Sequence, residues 1–182
     1  MPRRTSIDRR IFTAVNNLPH TPYLDEQVAL LADLGKGAGW VAGAAWLALR
    51  DGPRGRRAAL ASVGAMLLAV ALVQGPIKGT LRRQRPFARE VARVVGRRPL
   101  DSSFPSGHTA GSFAAAAALT CFYPQDGPLL LGTAAAVGAS RVYLGVHFPS
   151  DVLVGAGFGS ALGLLARGLA GRRADAAAPG RS

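Results

Sequence analysis

The sequence predicts an all-α integral membrane bundle of about five transmembrane helices, with an amphipathic interfacial helix at its N-terminus. Three observations predict it. Residues Ala58 to Ile77 are twenty consecutive uncharged positions, matching the roughly 20 residues that cross a hydrocarbon core about 30 Å thick. Mean hydropathy is +0.20 although the net charge is +12, so the charges are segregated from the apolar runs. Three further runs, Thr109–Tyr123, Gly127–Ser140 and Val152–Ala166, carry no full charge. Alone they are short for a span, but weakly charged flanks and a snorkelling Arg167 extend them.

Taken in order, Ile7, Ile11, Phe12, Val15 and Leu18 recur at helical spacing opposite Arg9, Arg10 and Asn16, the pattern of a helix lying on a bilayer surface or packed on the bundle. Residues 1–19 hold four arginines but no apolar signal-peptide core. Leu24–Leu49 is a fifth candidate span, interrupted by Asp33 and Lys36 and clean from Gly37 onward, with Trp40 and Trp46 at an interface or in the core. The 87–104 connection sets Phe87, Val91, Val94 and Val95 against Arg89, Arg93, Arg97 and Arg98. It reads as a short interfacial helix or a solvated basic loop. One domain is expected over residues 1–173, with a disordered tail at 174–182. Cys121 stands alone inside a span and reads as a small core residue.

Lys78 and Arg85, at the close of the 58–77 run, are seven residues apart, which places them about two turns apart on one helix face. Pro86 then ends the helix. Arg82, Arg83 and Arg89 read as lipid-facing anchors. The next run opens with Ser106-Gly107-His108, where Ser106 can cap a helix, Gly107 admits a close backbone N–H, and free helix-start N–H groups favour an anion. The third cluster runs from Arg141 to His147 and Asp151: an imidazole with a carboxylate four positions on and a guanidinium six positions back. His20 reads as a surface residue. Because successive spans alternate in direction, all three clusters fall at one membrane face.

The pattern Lys78-(six residues)-Arg85-Pro86, then Pro105-Ser106-Gly107-His108, then Ser140-Arg141-(five residues)-His147-(three residues)-Asp151 resembles the three-part signature of the type 2 phosphatidic acid phosphatase superfamily, which includes vanadium haloperoxidases and bacterial acid phosphatases. Every signature position is filled, over residues 78–151. The resemblance implies that His147 attacks phosphorus to form a phosphohistidine, that Asp151 orients it, and that His108 protonates the leaving oxygen and then activates water. Lys78, Arg85, Ser106, Gly107 and Arg141 would hold the phosphoryl oxygens. No metal or other cofactor is implied, and Glu90, Asp101 and Asp151 are dispersed in sequence. Chelation should leave such an enzyme active.

The implied substrate is a membrane lipid phosphate, with a lean toward a polyprenyl (di)phosphate; phosphatidylglycerophosphate and phosphatidic acid are alternatives. Twenty arginines against two lysines suit a GC-rich bacterial genome. A vanadate-dependent haloperoxidase-like enzyme would reuse the same oxyanion site, but those relatives are larger and soluble. A non-catalytic lipid-binding scaffold would be expected to lack a histidine, and both are present. The excess basic charge is assigned to anionic lipid headgroups and not to nucleic acid, since no stacking aromatics are interleaved with it. Gly155, Gly159 and Gly163 form a small-residue stripe for packing within the chain or for a homodimer seam. The expected location is the bacterial cell membrane. The resemblance leans toward an extracytoplasmic catalytic face, while basic residues divide too evenly between the two sides to decide it.

Overall fold

The computed structural model describes residues 6–89 and 92–176, the last ten as backbone only. Every regular element among them is helical: α1 Ile7–Asn16, α2 Pro22–Asp33, α3 Gly39–Arg50, α4 Gly52–Leu72, α5 Lys78–Thr80, α6 Gly107–Phe122, α7 Gly127–Tyr143 and α8 Pro149–Ala176. Five-residue π turns join α2 to α3 (Leu34–Ala38) and α4 to α5 (Val73–Ile77), so each pair runs on as one long bent rod.

The centre of the bundle is α6, whose residues Ala114 to Ala118 are buried on every side. Small side chains let its neighbours approach closely. On α8, Gly155, Gly159 and Gly163 face α6 in turn: a Cβ added at these positions would lie 2.7 Å from the Ser106 carbonyl oxygen, 2.1 Å from that of Ala110 and 2.5 Å from that of Ala114. The stripe therefore serves packing within the chain. Its register also shows that α6 and α8 run parallel, with their N-termini side by side. From the other flank α4 contributes Ala61, Ala65 and Ala69, and the π turn after it Val73. The α2–α3 rod is pinned by Trp40 Nε1, which donates to Ser112 Oγ (3.1 Å), and by Ser112 Oγ, which donates to the Gly35 carbonyl (2.8 Å).

All five apolar stretches read from the sequence are helices. Two, Gly52–Thr80 and the Pro149–Ala166 part of α8, are long and apolar enough to cross a membrane. Trp40 lies in the core, whereas Trp46 is exposed and holds the Arg50 guanidinium over its ring at 4.9 Å. Several expectations need correction. In α1, Asn16 points inward with Phe12: its amide donates to the Tyr143 and Arg93 carbonyls (2.8 and 2.9 Å) and its oxygen accepts from Arg93 N–H (2.9 Å), while Ile7, Ile11 and Leu18 are exposed. The 87–104 connection holds no helix among its described residues beyond the 3-10 turn Pro86–Ala88. Val95 N–H is taken by the Leu144 carbonyl and Gly96 adopts φ +81°, which breaks helical periodicity, while Phe87, Val94 and Val95 pack against Tyr143 and Val146. The described part of α8 ends at Ala176, and the rest of the expected tail, 177–182, lies outside the described residues.

Gly159→Ala should destabilise the bundle by about 1–3 kcal/mol, because a methyl has no room beside the Ala110 carbonyl. Gly157→Ala, which meets nothing within 4 Å, should leave the midpoint unchanged; thermal unfolding in detergent compares the two.

Candidate active site

The loop between α7 and α8 is tightly specified. Gly145 has φ +76°, and a Cβ there would lie 2.3 Å from the Arg93 carbonyl oxygen, so only glycine fits. The Arg141 carbonyl accepts the N–H groups of both Val146 and His147, each at 3.2 Å, folding the loop back over the end of α7. Phe148 is wedged between the Phe12 ring (5.4 Å) and the Arg83 guanidinium (4.4 Å). His147 is thereby held almost wholly buried.

Pro149 starts α8, and Asp151 in its first turn is fully buried. Its Oδ2 accepts from Phe148 N–H (2.9 Å) and Ser103 Oγ (2.5 Å), and its Oδ1 accepts from Arg83 Nη1 (2.6 Å). His147 Nδ1 lies 3.6 Å from Oδ2. The other ring nitrogen, Nε2, is 3.3 Å from Arg85 Nη1. A guanidinium can only donate, so Nε2 is an acceptor and the proton sits on Nδ1, facing Asp151. The Nε2 lone pair therefore points toward the cationic side of the site. Burial, first of all, pulls the imidazole down to about 4; Asp151 opposes this, and Arg85 and Arg141 add to it. At neutral pH the ring is an uncharged base.

Lys78 and Arg85 do converge, but by a different route from a shared helix face. The helix stops at Thr80, whose Oγ1 donates to the Pro76 carbonyl (2.9 Å), and Leu81 leaves with ψ 86°. Arg85 is therefore in the connection, and Asp101 draws the two together: Lys78 Nζ donates to Oδ2 (2.5 Å) and Arg85 Nη2 to Oδ1 (2.6 Å). Arg85 also donates to the Val146 carbonyl (2.7 Å). Partial burial pushes the Asp101 carboxyl up, but hydrogen bonds and charge from Lys78 and Arg85 outweigh it and hold the group at about 2. A cavity of about 500 Å³ opens here, lined by Lys78, Arg82, Arg85, Asp101 and Ser102 among others. A larger apolar groove of about 630 Å³, lined by α3 and α7, lies apart from these charges.

The start of α6 completes the cluster. Ser106 N–H donates to the Asp151 carbonyl (3.0 Å), tying the two helix starts together, and Ser106 Oγ accepts from Thr109 Oγ1 (2.9 Å). Gly107 packs beside Gln74 of the π turn. His108 lies within electrostatic range of Arg141, His147, Lys36 and Lys78. The Arg141 side chain is buried, and its Nε has no hydrogen-bond partner among the described residues.

Three residues have surroundings that their places in the sequence do not reveal. Arg83 is no lipid anchor: it bridges Asp8, Ser150 and Asp151. Asp101 went unrecognised because its partners lie 16 and 23 positions away. The His20 side chain is enclosed, bonded to Asp25 Oδ1 (2.6 Å) and stacked on Tyr143 (4.3 Å).

Lys78 and Arg85 line the cavity, and behind Arg85 lie His147, Asp151 and the adjoining starts of α6 and α8, a gathering of cations and helix starts in an all-helical bundle. A family model described as the PAP2 superfamily matches residues 59–174, and the chain belongs to that superfamily. Over 119 residues it is 44% identical to a decaprenylphosphoryl-5-phosphoribose phosphatase of Mycolicibacterium smegmatis, covering 65% of this chain. The match spans 63% of that relative, less than two thirds of its length. The structure is similar to Aquifex aeolicus LpxE, with TM-score 0.70, 27% identity and coverage of 91% of this chain and 98% of that one. It is also similar to a transmembrane PAP2-type phosphatidylglycerolphosphate phosphatase from Bacillus subtilis (TM-score 0.65, 26% identity, 91% and 85% coverage).

The depressed His147 value makes a stability prediction. Between its unfolded value of 6.5 and about 4, the unfolded chain binds a proton that the folded chain does not. Stability from this group is therefore full above about pH 6.5 and is lost as pH falls toward 4. Asp101 acts only lower, below 3.8. His147→Asn should lessen the fall in Tm between these values, measured by thermal unfolding across pH.

Proposed function

We propose that this chain hydrolyses a phosphomonoester or diphosphate on a membrane lipid, through a phosphohistidine at His147. The observation that carries the reading is the His147 ring itself: Nδ1 faces Asp151, and Nε2 faces Arg85 beside the paired starts of α6 and α8. Phosphoryl transfer asks mainly for positioning and charge stabilisation.

The lone pair of Nε2 attacks phosphorus, and the phosphorus–oxygen bond to the leaving group breaks. His108 gives its proton to that oxygen. Lys78, Arg85 and Arg141, with the Ser106 hydroxyl and the Gly107 N–H, hold the remaining oxygens, where a helix start favours an anion. As positive charge grows on the ring, the Asp151 carboxylate stabilises it. Water then attacks phosphorus, His108 takes its proton, the nitrogen–phosphorus bond breaks and inorganic phosphate leaves. Asp101 and Asp151 are both committed to cations and hydrogen-bond donors of the chain, which supports a route without a metal.

The bilayer setting is supported by the two long apolar helices, by the large exposed leucines and by relatives that include a transmembrane phosphatase. In this reading α2–α3, α4–α5, α6, α7 and α8 are the five spans. The substrate we favour is a polyprenyl phosphate or diphosphate, supported by the relative named as a decaprenylphosphoryl-5-phosphoribose phosphatase.

The test is phosphate release from polyprenyl phosphate, polyprenyl diphosphate, phosphatidylglycerophosphate and phosphatidic acid in detergent with EDTA. Wild type should turn over a polyprenyl substrate fastest, and His147→Ala should lose at least about 1,000-fold in kcat. Full turnover by the variant removes the nucleophile. Activity abolished by EDTA and restored by magnesium removes the metal-independent route.

A further inference from the structure

Behind the His147–Asp151 pair lies a second layer of charge that the three-part signature leaves out. The Arg83 guanidinium, partly buried, is shared among three groups: Nη1 donates to Asp151 Oδ1 (2.6 Å) and Ser150 Oγ (2.7 Å), and Nη2 donates to Asp8 Oδ2 (2.6 Å). Its face lies on the Phe148 ring, the residue after His147. Asp8, in the first turn of α1, also accepts from Ser150 N–H (2.9 Å) and Ser150 Oγ (2.7 Å) at the start of α8. One cation and one anion, 75 positions apart, thus grip the turn of α8 that carries Asp151.

We infer that Arg83 and Asp8 are positioning residues for the His147 nucleophile: Arg83 fixes the rotation of the Asp151 carboxylate, and Asp8 neutralises Arg83. The inference rests on the phosphohistidine reading above. Oδ1 is anchored by Arg83, which leaves Oδ2 directed at Nδ1. Without Asp8, the uncompensated positive charge of Arg83 would draw on Asp151 and weaken its support of the forming imidazolium. With Asp8 present, Arg83 and Asp8 cancel, and the full negative charge of Asp151 serves His147. His147 also faces Arg85 from the connection, Arg141 from α7 and His108 from α6, and these stay constant in the variants below.

The two removals should move the acid limb of kcat/KM in opposite directions. Arg83→Gln removes a cation, makes the imidazole easier to protonate and shifts the limb to higher pH. Asp8→Asn exposes that cation and shifts it to lower pH. A purely structural role would lower both activities without this split. Arg83→Gln should reduce kcat about 10- to 100-fold with little change in KM, Arg83→Lys should recover part of it, and Asp8→Asn should lose several-fold. The double variant should lose less than the product of the single losses, since both act through one carboxylate. Arg56→Gln, exposed near the start of α4 at the other end of the rod from Lys78, should match wild type.

The measurement is kcat and KM against pH on the best lipid phosphate, with His147→Ala alongside. If His147→Ala is inactive while Arg83→Gln and Asp8→Asn both match wild type, or shift the limb the same way, the positioning role is wrong and the nucleophile stands. If His147→Ala keeps full turnover, the nucleophile reading falls and this inference with it. Should Arg83→Gln fail to fold, the near-isosteric Asp8→Asn decides alone: an unshifted acid limb refutes the role.

Discussion

Everything at the site depends on how closely α8 lies against α6. Contact at Gly155, Gly159 and Gly163 is backbone to backbone, and it fixes the two helices in parallel register. Parallel packing puts two helix N-termini side by side, each worth roughly half a positive charge. That arrangement is unfavourable until something negative joins it. The Asp151 carboxylate lies in the first turn of α8, the Ser106 N–H closes onto the Asp151 carbonyl, and Ser106 caps α6. What remains is a concentrated positive end, where a phosphoryl group would find its counter-charge. Lys78 and Arg85 add to it only because the α4–α5 rod runs antiparallel to α6 and ends at the same level.

Gathering four cations, three of them buried, in one cluster is costly unless anions and hydrogen bonds compensate. The compensation here is divided. Asp101 serves the Lys78–Arg85 pair from the exposed side, while Asp151 and Asp8 serve Arg83 from behind. Arg141 has neither partner and donates nothing from Nε among the described residues, so of the site cations it is the one most open to a new acceptor. His147 sits between the two compensated groups and is kept neutral by burial. A neutral imidazole beside a guanidinium is a stable arrangement; an imidazolium there would need the whole charge of Asp151.

The sequence conveys those features that depend on periodicity and chain direction. Uncharged runs located the five long helical segments, and alternating direction brought Lys78, Ser106, Arg141 and His147 to one end. It does not convey pairings between distant positions. Asp101, Arg83 and Asp8 look like scattered surface charges until the connection folds back, and Asn16 looks like part of a polar face until Tyr143 and Arg93 offer their carbonyls. The helix-face argument for Lys78 and Arg85 failed for a local reason. Thr80 and Leu81 end the helix before Arg85, and only the long-range contact with Asp101 restores the convergence.

Side-chain size is sorted in a way that bears on the solvent around the bundle. The interior is mostly alanine, glycine and serine, while Leu60, Leu67, Leu68, Leu153, Leu164 and Leu165 are between 50% and 76% exposed. In water, large aliphatic groups on two adjoining helices would drive association or collapse, since burying each is worth about 1.5–3 kcal/mol. In hydrocarbon that drive vanishes, and helices are held instead by close backbone packing of small residues. The α6–α8 contact is of that second kind. The same glycines that let the helices touch also set the register of their N-termini, so a packing that would suit a bilayer and a geometry that would suit a phosphate are one feature of the fold.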